Sequence, residues 1–309
     1  MEKTRKAPTG ILGFPVTPFN ESGNIDESAL ARNIHFLLEE GLEAIFISCG
    51  AGEYNSLSYK EFEATVELAV SEVNGKVPVY TGIGGNLSES LEKAEISAKH
   101  NADGYLILPP YLIEGEQDGI YEYFKTILHS TDLGAIVYQR ANAVLQLESL
   151  QKLVEIPQLI GVKDGVGNMD LNVELTQAIG NKIGWLNGMP MAEVCHPAYM
   201  PLGFDSYSSA ISNYIPHISR LFYEAMLSND LQLVQDLYQD VILPINQIRK
   251  QRKGYAIALI KAGMEIAGLP VTKSVRPPVT QVEKEHFDQL EKIIKIAFDK
   301  YPKNTKTIA

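Results

Sequence analysis

The sequence predicts an α/β protein, a (β/α)8 TIM barrel with a C-terminal helical extension. Eight segments of strand length, most of them apolar, alternate with helical patterns between residues 10 and 227. That order builds a parallel sheet closed on itself and ringed by helices. No Gly-x-Gly-x-x-Gly turn follows the first run, as a doubly wound nucleotide-binding sheet would carry. Three further helical patterns follow the eighth helix. We therefore place a catalytic barrel at 8–228 and a helical extension at 229–309.

The first run, residues 10–19, is a strand that ends in a loop, because Pro15 and Pro18 interrupt it. Turn chemistry fills 20–24. Asp26 then caps a helix to about Glu40, with Leu30, Ile34, Leu37 and Leu38 on one face and Gly41 as its stop. The second strand, 44–49, runs into Gly50-Ala51-Gly52-Glu53, and Ser58 with Glu61 forms a capping box for the next helix. Strands follow at 77–82, 104–110 and 135–140, the sixth lies in the stretch 159–167, and two more follow at 183–188 and 205–210. Helices begin near Ser88, Gln117, Leu147 and Leu171, another contains Ala192 and Val194, and one begins near Ile215. The extension carries helical patterns at 231–249, 255–267 and 283–298.

Hydrophobic residues make up 45% and charged residues 21%, the mix of a globular chain with a large core. A net charge of -11 argues against nucleic acid or an anionic membrane as partner. Two distant cysteines, Cys49 and Cys195, make no disulfide framework and fit a reducing compartment. Residues 1–8 are basic but lead into no signal-peptide core, and no apolar segment is long enough to span a bilayer. The cytoplasm is the expected location. Glu193, His196 and His217 lack metal-ligand spacing, so no metal is expected.

In such a barrel the chemistry sits at the C-terminal ends of the strands. The sixth strand ends Gly161-Val162-Lys163-Asp164-Gly165, which puts Lys163 on one face between two glycines. An amine in an apolar setting loses its proton more readily and becomes a nucleophile toward ketones. The other reading of Lys163 is a solvated lysine just past a strand end. Tyr138 and Arg140 share a face of the neighbouring fifth strand. Tyr138 is either a proton shuttle or a core tyrosine. Arg140 either binds a substrate carboxylate or pairs with a nearby loop. Gly50-Ala51-Gly52 is either a nest of backbone N–H groups for a carboxylate or a plain turn. Asn187, Gly188 and Ser208 end the seventh and eighth strands and are candidates for substrate contacts. The run Arg249-Lys250-Gln251-Arg252-Lys253 reads as a solvated helix end or an intersubunit contact.

The opening Pro-Val-Thr-Pro-Phe, the Gly-Ala-Gly-Glu turn, Tyr138 on strand five and Gly-Val-Lys-Asp on strand six resemble the dihydrodipicolinate synthase / N-acetylneuraminate lyase family. The resemblance covers about residues 8–300. It implies a barrel with a C-terminal helical bundle, assembled as a homo-oligomer, a tetramer or a dimer. It also implies a 2-oxo acid held as a Schiff base on Lys163, Tyr138 as proton shuttle, and the acid's carboxylate on Gly50 and Ala51. Two positions depart from the synthase branch. Gly50 and Ala51 stand where it has a Thr-Thr pair, and Tyr111-Leu112 where it has two tyrosines, so its proton relay cannot be built here.

The combination Cys-Gly-Ala-Gly-Glu-Tyr, Pro-Pro-Tyr-Leu, Val-Tyr-Gln-Arg, Val-Lys-Asp-Gly-Val-Gly and Tyr-Ser-Ser-Ala is instead similar to the branch that dehydrates and decarboxylates 5-dehydro-4-deoxyglucarate. That implies a small keto sugar acid as partner and no cofactor, since the lysine is itself the electron sink. Ser208 would meet substrate hydroxyls, and Arg140 and Asn187 the distal carboxylate. An aldolase acting on a 2-keto-3-deoxy sugar acid through the same lysine, a metabolite-binding barrel without turnover, and a barrel with a structural Lys163 are the rival readings.

Overall fold

A computed structural model describes residues 6–140, 142–272 and 274–303. The first five residues of the basic N-terminal stretch and the last six of the predicted extension lie outside them. Eight parallel strands close in chain order. They are β1 (Gly10–Gly13), β2 (Ile45–Ile47), β3 (Val79–Gly84), β4 (Gly104–Leu108), β5 (Gly134–Gln139), β6 (Leu159–Asp164), β7 (Gly184–Asn187) and β8 (Ser206–Ser209). Between them run α1 (Glu27–Glu39), α2 (Tyr59–Val73), α3 (Leu87–Lys99), α4 (Gln117–Leu128), α5 (Leu147–Val154), α6 (Met169–Ile179) and α7 (Ala192–Tyr199), and α8 (Pro216–Leu227) follows β8.

Strands buried on both faces read as continuous apolar runs rather than alternating ones, and each face here joins a different core. Outward residues such as Ile45, Ile107 and Val137 pack on the helices. Inward residues such as Leu12, Phe46, Leu106 and Ile136 fill the barrel. Phe14, Phe46 and Tyr80 stack in a column inside it, with ring centroids 4.5 and 4.8 Å apart. The predicted caps form: the Asp26 side chain accepts from the Ala29 amide, and Ser58 and Glu61 make their capping box. β3 is displaced by two residues from its predicted span. Pro78 has no N–H to give the ladder, and Gly84, read as loop, continues the strand.

The C-terminal segment forms α9 (Leu231–Leu237), α10 (Leu243–Lys250), α11 (Tyr255–Ile266) and α12 (Lys284–Lys300). Phe222, Leu237, Ile245, Leu259 and Ile294 share one apolar cluster, which joins this segment to α8. The helix predicted over 231–249 is interrupted by a π-helical turn at Tyr238–Ile242. Pro244 explains the break, because it has no N–H for the carbonyl one turn earlier. Among the described residues no helix is long and apolar enough to cross a membrane.

Candidate active site

Lys163 stands one residue from the end of β6. In the parallel ladder it is level with Tyr138 of β5 and Leu186 of β7, so all three project into the barrel. Two glycines leave the room they need. A Cβ on Gly165 would lie 2.7 Å from the Tyr138 hydroxyl, and one on Gly188 would lie 2.6 Å from the Lys163 side chain. Lys163 is only 5% exposed, and its Nζ sits 3.9 Å from the Phe14 ring centroid and 4.7 Å from that of Tyr138. Burial draws its ammonium down to about 7; the Cys49 thiol opposes this and the Arg140 charge adds to it. Near neutral pH a large fraction is therefore free amine.

The Tyr138 hydroxyl donates to the Gly188 carbonyl at 2.9 Å and accepts from Arg140 Nη1 at 3.1 Å. Burial raises the phenol's pKa, against the Arg140 charge. At rest Tyr138 is thus a protonated donor beside the amine. Asp164, on the opposite face of β6, fixes the strand end. Its Oδ2 accepts from Tyr199 at 2.7 Å, from Asn172 at 2.9 Å and from the Gly167 amide at 3.2 Å. Sequence reasoning did not single out this role, because the donors on α6 and α7 reach Asp164 only in the folded barrel.

In the turn after β2 the carbonyls of Cys49, Gly50 and Gly52 are occupied, while the amides of its first residues are left over. The Gly52 carbonyl accepts from Thr17 Oγ1 at 2.7 Å, the Gly50 carbonyl from the Glu53 amide and the Cys49 carbonyl from the Tyr54 amide. Among the described residues, the amides of Gly50 and Ala51 have no hydrogen-bond acceptor in the chain, and both residues line the cavity above Lys163. Such a turn suits a carboxylate.

Glu53, next along, belongs to the scaffold. It pairs with fully buried Lys261 of α11 at 2.6 Å and accepts from the Arg276 amide at 2.8 Å. This ties the turn to the C-terminal helices. Lys261→Met leaves the Glu53 carboxylate buried without its cation and is expected to cost about 3–5 kcal/mol of stability. Urea denaturation measures the loss, and a Glu53→Gln, Lys261→Met double variant should recover most of it.

Over Lys163 opens a cavity of ≈ 500 Å³. Tyr138, Arg140, Gly188 and Ser208 line it together with Gly50 and Ala51, so the structure brings together seven of the eight predicted site residues. Asn187 is the exception. It is buried on the outer face of β7, where its amide donates to the Ala192 carbonyl at 3.2 Å and lies near His196. Alternation along β7 turns Leu186 and Gly188 inward and Asn187 outward, so its assignment to the distal carboxylate is withdrawn. Ser206 is buried, while Ser208 lies at the cavity wall.

The basic run is the exposed helix end that the sequence suggested, at the close of α10, and it also has a place at the site. Arg249, Lys250, Arg252 and Lys253 line the cavity mouth, because α10 ends and α11 begins over the open end of the barrel. Its charge was visible in the sequence, but its position depends on how the extension packs. Among the described residues no group of three His, Cys, Asp or Glu could hold a metal ion.

Comparison with known proteins agrees with this geometry. The model of the dihydrodipicolinate synthetase family matches residues 7–297. A probable 5-dehydro-4-deoxyglucarate dehydratase of Oceanobacillus iheyensis is 66% identical, covering 98% of this chain and 99% of that protein. A protein of the same description from Bacillus subtilis is 65% identical over 100% of both. Among solved structures, dihydrodipicolinate synthase from Oceanobacillus iheyensis superposes with a TM-score of 0.86 at 25% identity, covering 93% of this chain and 95% of that one.

Proposed function

The chain belongs to the dihydrodipicolinate synthetase family, and from that premise we propose that it is a Schiff-base hydro-lyase that converts 5-dehydro-4-deoxyglucarate to 2,5-dioxopentanoate, CO2 and water. The observation that carries this reading is Lys163, a buried amine drawn down to about 7 at the floor of a cavity whose wall offers two free amides. The relatives described as probable dehydratases of this substrate support it.

The 2-oxo acid's carboxylate sits on the Gly50 and Ala51 amides, which brings the adjacent ketone to Lys163. The amine adds to the carbonyl, water leaves, and an iminium forms. The iminium acidifies C4. Loss of that proton gives an enamine, which expels the C3 hydroxyl as water. The C1–C2 bond pair then flows into the conjugated iminium and CO2 departs. Tautomerisation and hydrolysis release the product and regenerate the amine. Tyr138 hands protons to and from the departing oxygens, and Ser208 bonds a substrate hydroxyl. Because the iminium is the electron sink, no cofactor is required.

Only the free amine attacks. Protonation of Lys163 as pH falls through about 7 removes the nucleophile, so log kcat/KM should fall with unit slope on the acid side of that value. A profile flat down to pH 5 would separate turnover from this amine.

Borohydride reduction with the substrate, followed by peptide mapping and a CO2 assay, tests the whole reading. The expected result is an adduct on Lys163 with CO2 release. An adduct with pyruvate formed instead would assign an aldolase, and no adduct would remove Lys163 as nucleophile. We also propose that the chain works in the cytoplasm as a homo-oligomer. Three consecutive apolar residues after β4, Tyr111, Leu112 and Ile113, are 68–79% exposed, and a second copy would cover them. Light scattering tests the assembly.

A further inference from the structure

The cavity over Lys163 holds more positive charge than imine formation needs. Arg140 reaches it from the end of β5 and Arg249 from the last turn of α10. Arg140 donates to the Tyr138 hydroxyl, and Arg249 Nε donates to Asn246 Oδ1 at 3.0 Å. Both acceptors are neutral. Among the described residues the arginines that pair with carboxylates are Arg220, Arg252 and Arg276. Arg140 and Arg249 face the same space with no acid between them. They are close enough that the Arg140 charge, after burial, lowers the Arg249 guanidinium. Like charges held across a cavity repel unless an anion lies between them.

We propose that Arg140 and Arg249 together seat the second carboxylate of a six-carbon diacid, so that the site holds diacid substrate and releases monoacid product. This rests on the reading of Lys163 as the Schiff-base lysine. With the first carboxylate on Gly50 and Ala51 and the ketone carbon bonded to Lys163, the rest of the substrate must extend away from the turn. Arg140 lines the same cavity and donates to Tyr138, close enough to Lys163 to lower its ammonium. A guanidinium fork suits a carboxylate, and two of them neutralise it fully.

The pair acts on binding rather than on bond breaking. As the C1–C2 bond breaks, the carboxylate's charge moves into the imine and the carboxylate becomes CO2. A cation that holds the carboxylate therefore stabilises the bound substrate more than the transition state. Once CO2 has left, an uncharged enol and then an aldehyde face the two guanidiniums. The product keeps only the carboxylate on the turn. Arg249 is thus a specificity residue contributed by the C-terminal segment to a barrel site.

Two probes of equal length isolate the effect: 2-oxoadipate, which has the distal carboxylate, and 2-oxohexanoate, which lacks it. Each is trapped on Lys163 with borohydride across a concentration series. The wild-type protein should prefer 2-oxoadipate, and the preference should shrink as salt is added. Arg249→Gln should cut the ratio of the two apparent affinities by roughly 10–100-fold, the worth of a charge-assisted contact. Arg249→Lys should recover part of it. With 5-dehydro-4-deoxyglucarate, KM should rise by a similar factor while kcat holds or increases. No preference in the wild type overturns the proposal, and so does an unchanged ratio in Arg249→Gln. The wild-type arm needs no variant, so a misfolded variant would not shield the idea. Trapping of both probes in the expected ratio without CO2 from the sugar acid would retain the seat and remove the dehydratase reading. Absence of any trapping removes the Schiff base and the seat with it.

Discussion

Lys163→Met should abolish turnover and make the protein more stable. Without the amine no imine forms, and the remaining groups have no electron sink to act on, so kcat should fall by at least ~10⁴-fold. No borohydride adduct should appear at any pH. The gain in stability comes from proton linkage. The Lys163 ammonium is drawn from 10.5 down to about 7 in the folded chain, first by burial. Between those values the unfolded chain binds a proton that the folded chain does not, so stability rises with pH across that window. Below about 7 both states carry the proton, and the whole penalty of a buried amine is present. Above 10.5 neither state carries it, and the penalty vanishes. A methionine of similar reach fills the same space and has no such penalty. The melting temperature of Lys163→Met should exceed that of the wild type at pH 7, and the difference should shrink as pH approaches 10. Equal melting curves at pH 7 would mean that the amine is better solvated than its 5% exposure implies. Retained activity would end the Schiff-base mechanism outright.

Local sequence carried the barrel because each of its elements is locally marked. Most of the strands are apolar on both faces, and Asp26, Ser58 and Gly41 punctuate the helices where they were expected to. Within the site, Lys163 and Tyr138 were legible for a related reason. They lie on neighbouring strands of one parallel sheet, where pairing in order fixes which side chains are adjacent. Asn187 was misread by one residue of alternation, which moves a side chain from the inside of a barrel to the outside. Arg249 could be read as part of a helix end, but local pattern did not bring it to the cavity. It lies 86 positions from Lys163 in the chain, and it reaches the cavity only because Pro244, the π turn and the Glu53–Lys261 pair set where α10 and α11 cross the barrel mouth. Contacts of that kind come from packing between segments, and a periodicity argument has no access to them.

Tyr138→Phe should separate imine formation from the later proton transfers. The hydroxyl sits between the Gly188 carbonyl and Arg140, and burial holds it protonated. It is therefore placed to give a proton to an oxygen leaving the ketone carbon or C3, and then to recover one through the same hydrogen bonds. Removing it should lower kcat by about 10²–10⁴-fold, the usual worth of a positioned acid–base group. Lys163 remains, so borohydride should still trap a covalent adduct, more slowly than in the wild type. Because the later steps are starved of protons, that adduct should accumulate during turnover, where in the wild type it is drained. A structural tyrosine predicts a different pattern. The Gly188 carbonyl would lose its donor at a cost of about 1–3 kcal/mol, and adduct formation and turnover would fall by the same factor as the fold loosened. Equal losses in trapping and kcat, tracking a lower melting temperature, would therefore take the proton transfer away from Tyr138. A kcat loss far larger than the trapping loss would leave it there, with Arg140 as the cation that keeps the phenol from rising further.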